Sequence, residues 1–244
     1  IVEADPGLTA NVLKIVNAPA FGLGQPVSSL ARAVNFLGDK MVVGIAIASS
    51  SPKVYSSALS GYEADSGELW SHSLRTAIAS REIAKRANTP LSPESAYTSG
   101  ILHDIGKAII SQFISDRTRK LLALIDEQET EDFLEAEQTI IGHDHTEIGS
   151  ALAKHWRLPN DLCQAIQHHH DPGLAPLDLQ ALASAVHLGD LVSMMGGSGT
   201  GADTLQYTLK ESALLHFTFE PDTLERIMVT VDDEFIKTNT DFFN

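Results

Sequence analysis

Residues 100–107 read GILHDIGK, which sets a histidine beside an aspartate in an otherwise apolar stretch. His103 and Asp104 are the adjacent pair, and Lys107 follows them by about one helical turn. We expect this stretch to lie in a helix that begins near Ser92, because Ser followed by Pro is typical of a helix start. The pair is either part of a metal site or a polar pair that a buried helix tolerates.

The sequence around this stretch is patterned for helices along most of its length. Apolar residues recur at spacings of three and four, which favours amphipathic helices over strands. The apolar run at 40–50 resembles a strand, but no partner strand is evident, so we predict a buried helix there. Further helices are predicted at 8–17, 28–38, 66–87, 117–127, 131–141, 145–157, 159–170, 181–194 and 221–240. The predicted class is all-α, with an N-terminal helical lobe packed beside a larger helical core.

Two turn-rich segments divide this helical pattern. Residues 60–67, SGYEADSG, are polar and form the best candidate boundary in the first half, with Ser66 as the predicted cap of the next helix. Residues 195–203, MGGSGTGAD, predict a solvated linker and not a phosphate loop, because no Lys-Ser/Thr follows and no strand precedes. The predicted parts, which together form one composite domain, are a lobe at 1–60, a core at 61–195, and a loop with a C-terminal helix at 196–244.

The composition excludes several classes of function. The 244 residues carry 32 acidic and 17 basic side chains, and a net charge of −15 repels nucleic-acid phosphates, so general nucleic-acid binding is not expected. The single cysteine, Cys163, excludes an intramolecular disulfide and suits a reducing cytoplasm, where we expect it to be a small core residue. No apolar run approaches the roughly 20 residues of a transmembrane helix, so no membrane span is expected.

Ten histidines are many for this length, and several lie in suggestive places. Glu68 and His72 are four residues apart and share one helix face, and residues 168–170 are three consecutive histidines. Taken singly, each is more often a hydrogen-bonded core residue or a favourable charge at a helix end. Asp104 and Asp190 change this balance, because an unpaired carboxylate in an apolar helix costs several kcal/mol. Lysine and arginine are sparse, so a divalent ion is the better candidate to neutralise both carboxylates.

A histidine, a His-Asp pair and an aspartate on separate helices can supply the ligands of one octahedral metal ion. Imidazole with carboxylate suits Fe, Mn, Co or Ni better than a tetrahedral structural zinc site. One carboxylate can bridge to a second ion, for which His145 and the run 168–170 offer ligands. Two ions close together can share a hydroxide and hold phosphoryl oxygens for in-line attack. Lys107 is either a contact for a substrate phosphate or a solvent-facing helix lysine.

Several stretches, taken in order, resemble the HD metal-dependent phosphohydrolase superfamily and, more closely, its HDOD family, the HD-related output domain of bacterial signalling proteins. The stretches that carry the resemblance are DPGLTANVLKIVNAPAFG (5–22), SSLARAVNFLG (28–38), WSHS (70–73), GILHDIGK (100–107), DHTEIGSALAKHWRLP (144–159) and AIQHHHDP (165–172). The resemblance implies a multi-helix HD-type bundle. HDOD proteins are often described as noncatalytic and as having lost metal ligands, whereas this chain retains them.

The resemblance also implies a set of site residues. The superfamily pattern of His, His-Asp and Asp falls on His72, His103, Asp104 and Asp190. Related cyclic-di-GMP phosphodiesterases with a Gly-Tyr-Pro loop use further ligands, at the positions of His145, His169, His170 and, for an extra ligand, Glu68. Their phosphate-contacting lysine matches Lys107. The chain reads GLAPLDLQ after HHHDP and has no Gly-Tyr-Pro stretch, which argues against cyclic-di-GMP as the substrate.

Three functions are compatible with this resemblance, so whether the chain is an enzyme stays open. The first is a cytoplasmic signalling domain with one or two divalent ions, iron or manganese before nickel, cobalt or zinc, that hydrolyses a phosphorylated or nucleotide ligand. Asp104 would bridge the ions and Lys107 would steady the phosphate as the catalytic residues. The second is a noncatalytic scaffold with structural metals and a signalling protein as its partner. The third, ranked last, is di-iron oxygen chemistry.

Overall fold

The computed structural model describes residues 12–13, 15–17, 27–50, 57–126, 132–202 and 208–243. The motif at 5–22 and the helix predicted at 8–17 therefore lie largely outside the described residues. The α-helices are α1 (Leu30–Leu37), α2 (Asp39–Ser50), α3 (Glu68–Ala84), α4 (Pro93–Leu102), α5 (Ile105–Ile114), α6 (Thr118–Asp126), α7 (Phe133–Ile141), α8 (His145–His155), α9 (Asn160–His168), α10 (Gln180–Met195), α11 (Glu211–Leu214) and α12 (Thr223–Phe243). Short 3-10 helices span Ser60–Tyr62 and Pro172–Leu174.

The all-α prediction is confirmed, since the described ranges contain helices and turns and no β-sheet. The apolar run at 40–50 belongs to α2, as predicted. A side chain caps the start of α4, as the sequence indicated. The Ser92 Oγ atom accepts the Ser95 N–H at 3.0 Å, and Pro93 occupies the first turn of α4. Helix α3 differs from the prediction, because the residue at its N-cap position is Gly67, in the left-handed conformation (φ 84°), and not Ser66.

The helix expected to carry GILHDIGK is broken inside that motif. Helix α4 ends at Leu102, α5 begins at Ile105, and Asp104 adopts φ −98° and ψ 9° between them. Gly106 then lets α5 approach α8 closely, since a Cβ atom there would lie 1.9 Å from the backbone oxygen of His145. The polar pair therefore lies at a junction of two helices and not on the face of one continuous helix.

Helix α3 is the central element of the bundle. It packs most extensively against α10 and α4, and it also contacts α12 near the C-terminus. Helix α8 packs between α5 and α9. One hydrophobic core, which includes Val12 in the N-terminal part and Val231 in α12, joins these elements. This packing brings the helices that carry the predicted ligands into contact with one another.

The described part of the N-terminal lobe rests on this core. Helix α1 packs against α2, and α2 packs against α4. Lys40 of α2 donates a hydrogen bond to Ser95 Oγ at 3.1 Å and pairs with Asp161 of α9. The division at residues 60 and 195 stays a prediction. In the described part of the chain, no helix combines the length and apolar character needed to cross a membrane.

The glycine-rich segment predicted as a solvated linker is instead packed over the bundle. Within its described residues, 196–202, the Ser198 carbonyl accepts a hydrogen bond from His72 Nδ1 at 2.7 Å, and Thr200 is 2% exposed. Gly201 has φ +100°, and a Cβ atom there would lie 2.1 Å from the Tyr62 carbonyl oxygen. The prediction was wrong for residues 198–202, because Gly201 serves close packing with a left-handed backbone, which composition alone does not distinguish from flexibility. Gly196 and Gly197 are exposed. We call residues 196–202 the covering segment.

Candidate metal centre

Seven of the eight predicted ligands lie together in the middle of the bundle. Their ligand atoms form three groups, each within 4.8 Å, that overlap at His103 and His169. The groups are His72, His103 and Asp104; His103, His169 and Asp190; and His145, His169 and His170. The α4–α5 junction, the start of α8 and the residues after α9 converge there with α3 and α10.

Backbone contacts fix the orientation of three of these histidine rings. The Nδ1 atoms of His72, His103 and His169 each lie 2.7 Å from a carbonyl oxygen. A carbonyl oxygen only accepts, so Nδ1 must carry the proton in each ring. In the neutral ring, Nε2 then presents a lone pair, which is the form that binds a metal ion.

Two of these lone pairs face each other. The Nε2 atoms of His72 and His103 are 3.3 Å apart, although both rings use Nδ1 as the donor. A proton or a cation must lie between them, because two lone pairs at this distance repel. A single proton, even if it is shared with Asp190 Oδ1, would still leave Asp104 Oδ1, His169 Nε2 and Asp190 Oδ2 without a hydrogen bond. Divalent ions fit this set of atoms, since imidazole nitrogens and carboxylate oxygens are their ordinary ligands.

The two carboxylate oxygens of Asp104 face different histidines. Its Oδ2 atom lies 3.4 Å from His103 Nε2 and 3.6 Å from His72 Nε2. Its Oδ1 atom lies 3.4 Å from His145 Nε2 and 3.7 Å from His169 Nε2. A carboxylate placed in this way can bridge two ions, one on each side.

Asp190 adds a second buried carboxylate on the His72 side. Its Oδ1 atom lies 2.9 Å from His72 Nε2 and 3.8 Å from His103 Nε2. The side chain is 1% exposed and neither oxygen has a hydrogen bond of acceptable geometry. Such a group needs a neighbouring cation, because burial strongly disfavours an isolated negative charge.

The electrostatics of the centre favour the metal-binding protonation states of Asp104, His169 and His170. Burial acts to raise the pKa of Asp104, but charge interactions with His103 and Lys107 hold that pKa well below its ordinary value. Burial and neighbouring histidines lower the pKa of His169 and of His170 well below the ordinary value. The carboxylate is therefore ionised and these two rings are neutral, as metal binding requires.

Lys107 is fully buried, which excludes the solvent-facing alternative. Its Nζ atom donates to Asp104 Oδ2 at 2.7 Å and to Thr200 Oγ1, in the covering segment, at 2.8 Å. The Tyr62 ring lies 5.7 Å from the same nitrogen. The ammonium group balances part of the negative charge of the two buried carboxylates.

Glu68 lies at the start of α3 and is outside the three ligand groups found among the described residues. Its Oε2 atom accepts the Asp65 N–H at 2.9 Å, in the turn before the helix. Its role as an extra ligand stays a prediction.

The sequence reasoning missed two buried residues that hold the ligands. Glu137 of α7 accepts hydrogen bonds from both His145 and Tyr62. His187 donates from Nδ1 to the His169 carbonyl at 2.8 Å and accepts the Lys210 N–H at Nε2, so both ring nitrogens serve the backbone. In the sequence, Glu137 is one of two acidic residues in α7, and only the packing distinguishes it from Glu135.

The centre approaches the surface at His170. Most ligands are at most 1% exposed, whereas His170 is half-buried and lines a cleft of about 230 Å³. The other residues that line the cleft are Asp132, Phe133, Leu134, Asp171, Leu174, Thr208 and Lys210. The cleft combines a lysine ammonium and a threonine hydroxyl with apolar and acidic side chains.

Known proteins resemble this chain along most of its length. A family model of the HDOD domain matches residues 1–172. An uncharacterized protein of Treponema pallidum (strain Nichols) is 25% identical over 187 residues, which is 76% of this chain and 35% of the relative. The chain therefore spans about a third of the length of that curated relative.

Solved structures share the fold. An HDOD domain protein of unknown function from Geobacter sulfurreducens is 25% identical, with a TM-score of 0.66 over 98% of this chain and 82% of that one. A candidate phosphohydrolase from Shewanella amazonensis SB2B is 23% identical, with a TM-score of 0.69 over 98% and 84% of the two chains. A candidate signal transduction protein from Marinobacter aquaeolei VT8 is 19% identical, with a TM-score of 0.72 over 100% and 54%.

Proposed function

Because the chain belongs to the HDOD domain family, we propose that it is a signalling domain that binds two divalent metal ions and hydrolyses a phosphoester beside them. The observation that carries the proposal is the placement of Asp104, whose two oxygens face two sets of histidines. Burial of the carboxylates without enough hydrogen bonds supports it further.

The proposed ion sites differ in their ligands. His72, His103, Asp190 and Asp104 Oδ2 would hold the first ion, on the side of α3 and α10. A second group, made of His145, His169, His170 and Asp104 Oδ1, would hold the second ion. Mixed imidazole and carboxylate ligands suit iron or manganese, with cobalt, nickel and zinc as weaker candidates.

A phosphorylated or nucleotide ligand would reach the centre through the cleft at His170. A divalent ion supplies a Lewis acid that polarises a phosphoryl oxygen and lowers the pKa of water. Lys210 lies at the cleft, 43% exposed at its side chain and 4.0 Å from Asp171, where its charge can meet a phosphate. Lys107 balances the charge of Asp104 from the buried side, and its contact with a substrate phosphate is part of the proposal.

A noncatalytic scaffold with structural metals is the second candidate. The burial of six of the ligands and the contacts of the covering segment favour it, because structural sites are closed to solvent. This candidate shares the metal centre with the first and differs from it in turnover. The scaffold function would also require a signalling protein as partner, which is part of this second proposal.

Two measurements, made one after the other, test the proposal. Elemental analysis of protein purified with adequate iron and manganese should give two ions per chain, and fewer than one would overturn the metal centre. The loaded protein should then hydrolyse an aryl phosphodiester or a member of a nucleotide panel, with activity lost in Asp104→Asn. Bound metal without turnover would favour the scaffold, and oxygen uptake by the ferrous protein would favour di-iron chemistry.

A further inference from the structure

Glu137 makes its described hydrogen bonds to two residues only. Its Oε2 atom accepts the backbone N–H of His145 at 2.7 Å and lies 3.0 Å from the Nδ1 atom of the same ring. Its Oε1 atom accepts the Tyr62 hydroxyl at 2.6 Å and lies 3.1 Å from the same ring nitrogen. Glu137 and Tyr62 are both fully buried. The carboxylate therefore connects the tyrosine to one ligand histidine.

This contact is not needed to cap helix α8. Asp144 already caps that helix, since its Oδ1 atom accepts the N–H groups of Thr146 and Glu147, each at 2.9 Å. The ring contact of Glu137 thus has another consequence. A carboxylate only accepts, so the Nδ1 atom of His145 is the donor and its Nε2 atom presents a lone pair to the centre.

The acceptor distinguishes His145 from the other ligand histidines whose Nδ1 contacts are described. His72, His103 and His169 donate to neutral carbonyl groups, whereas His145 donates to a buried anion. A carboxylate acceptor fixes the ring and makes its other nitrogen a stronger ligand than a carbonyl acceptor does. This asymmetry lies on the side of the second ion.

We propose that Glu137, held by Tyr62, is a positioning residue that orients His145 and sets the affinity of the second metal ion without changing that of the first. The inference rests on the proposed two-ion centre. The Glu137 side chain is placed to act through His145, the sole ligand with which its described hydrogen bonds are made.

The proposal is tested by titrating metal-free protein with Co²⁺ and measuring binding by calorimetry and by visible absorption. Wild-type protein should bind two ions. Glu137→Gln should bind the first ion with unchanged affinity and the second about 10–100-fold more weakly, the range seen when a group supporting a metal ligand is removed. Glu135→Gln removes the same charge from an exposed position of α7 and should match the wild type.

The titration distinguishes failure of the positioning role from failure of the two-ion proposal. If wild-type protein binds fewer than two ions, the two-ion proposal fails. If it binds two and Glu137→Gln weakens neither ion, or weakens both equally, the positioning role is refuted.

Tyr62→Phe provides a second variant if Glu137→Gln does not fold. It removes the hydroxyl and keeps the ring that stacks on Phe133 at 5.6 Å between centroids. It should weaken binding of the second ion alone, by less than the about 10–100-fold expected for Glu137→Gln. Unchanged or uniformly weakened binding in Tyr62→Phe would overturn the proposal.

Discussion

The Oδ1 atom of Asp104 lies 3.4 Å from the Nε2 atom of His145, across the contact between α5 and α8. Gly106 permits this contact, since α5 and α8 approach too closely for a side chain there. GILHDIGK thus supplies both the ligands and the glycine that brings a second group of ligands to them.

Gly106→Ala should strongly destabilise the protein. The added Cβ atom would lie 1.9 Å from the His145 carbonyl oxygen and 2.8 Å from the Gly149 nitrogen, which are backbone atoms that cannot move independently. We expect the free energy of unfolding to fall by about 3 kcal/mol or more, the upper end for overpacked cores. Urea denaturation of the metal-free protein measures this change.

Gly149→Ala is the matched control. Its new Cβ atom would approach the Ile166 side chain at 3.1 Å, and a side chain can adjust more easily than a backbone. A loss in Gly149→Ala as large as that in Gly106→Ala would contradict the close-approach argument.

Thr200→Val should destabilise the protein through Lys107. Valine keeps the shape of threonine but removes the oxygen that accepts from the buried ammonium at 2.8 Å. The expected loss is about 1–3 kcal/mol in the free energy of unfolding. Ser198→Ala is the control, because Ser198 contacts His72 through its main-chain carbonyl, which alanine retains. Equal melting temperatures for Thr200→Val and the wild type would argue against a packed covering segment.

Asp144 should contribute stability that depends on pH. Burial acts to raise its pKa, but hydrogen bonds from Glu147 and Thr146 outweigh burial and lower the pKa below the ordinary value. Because the folded pKa is lower than the unfolded one, the contribution is complete above the ordinary pKa of about 3.9 and is lost as the pH falls below it.

The corresponding experiment compares Asp144→Ala with the wild type at several pH values. At pH 7 the loss of this cap should cost about 0.5–2 kcal/mol. The difference in unfolding free energy should shrink as the pH drops from 5 towards 3. Asp178→Ala, at an exposed position, serves as the control for removal of a charge. A difference between Asp144→Ala and the wild type that does not change with pH would show that the carboxylate charge is irrelevant.

Much of the fold was predictable because helical periodicity is a local property. The helix class, the buried α2 and the positions of most helices followed from apolar spacing. The break between α4 and α5 at His103 and Asp104 did not, since the apolar pattern continues through Ile105. The covering segment was predicted incorrectly because Gly201 packs against Tyr62, which is distant in sequence.

The ligands of the candidate site could be predicted from the sequence, but the residues that support them could not. The choice of His169 and His170 over His168 relied on the resemblance, and the structure brings those two to the centre. Glu137 was not predictable, because acidic residues are common on helices and its burial depends on the fold. The ligand roles of all these residues remain predictions that bound metal must test.

Anomalous scattering from crystals loaded with manganese or iron tests the central claim most directly. Two ions that share Asp104 should give two peaks, one beside His103 and His72 and the other beside His145 and His170. No peak at Asp104, or a single peak that does not contact its carboxylate, would contradict the proposed bridging role.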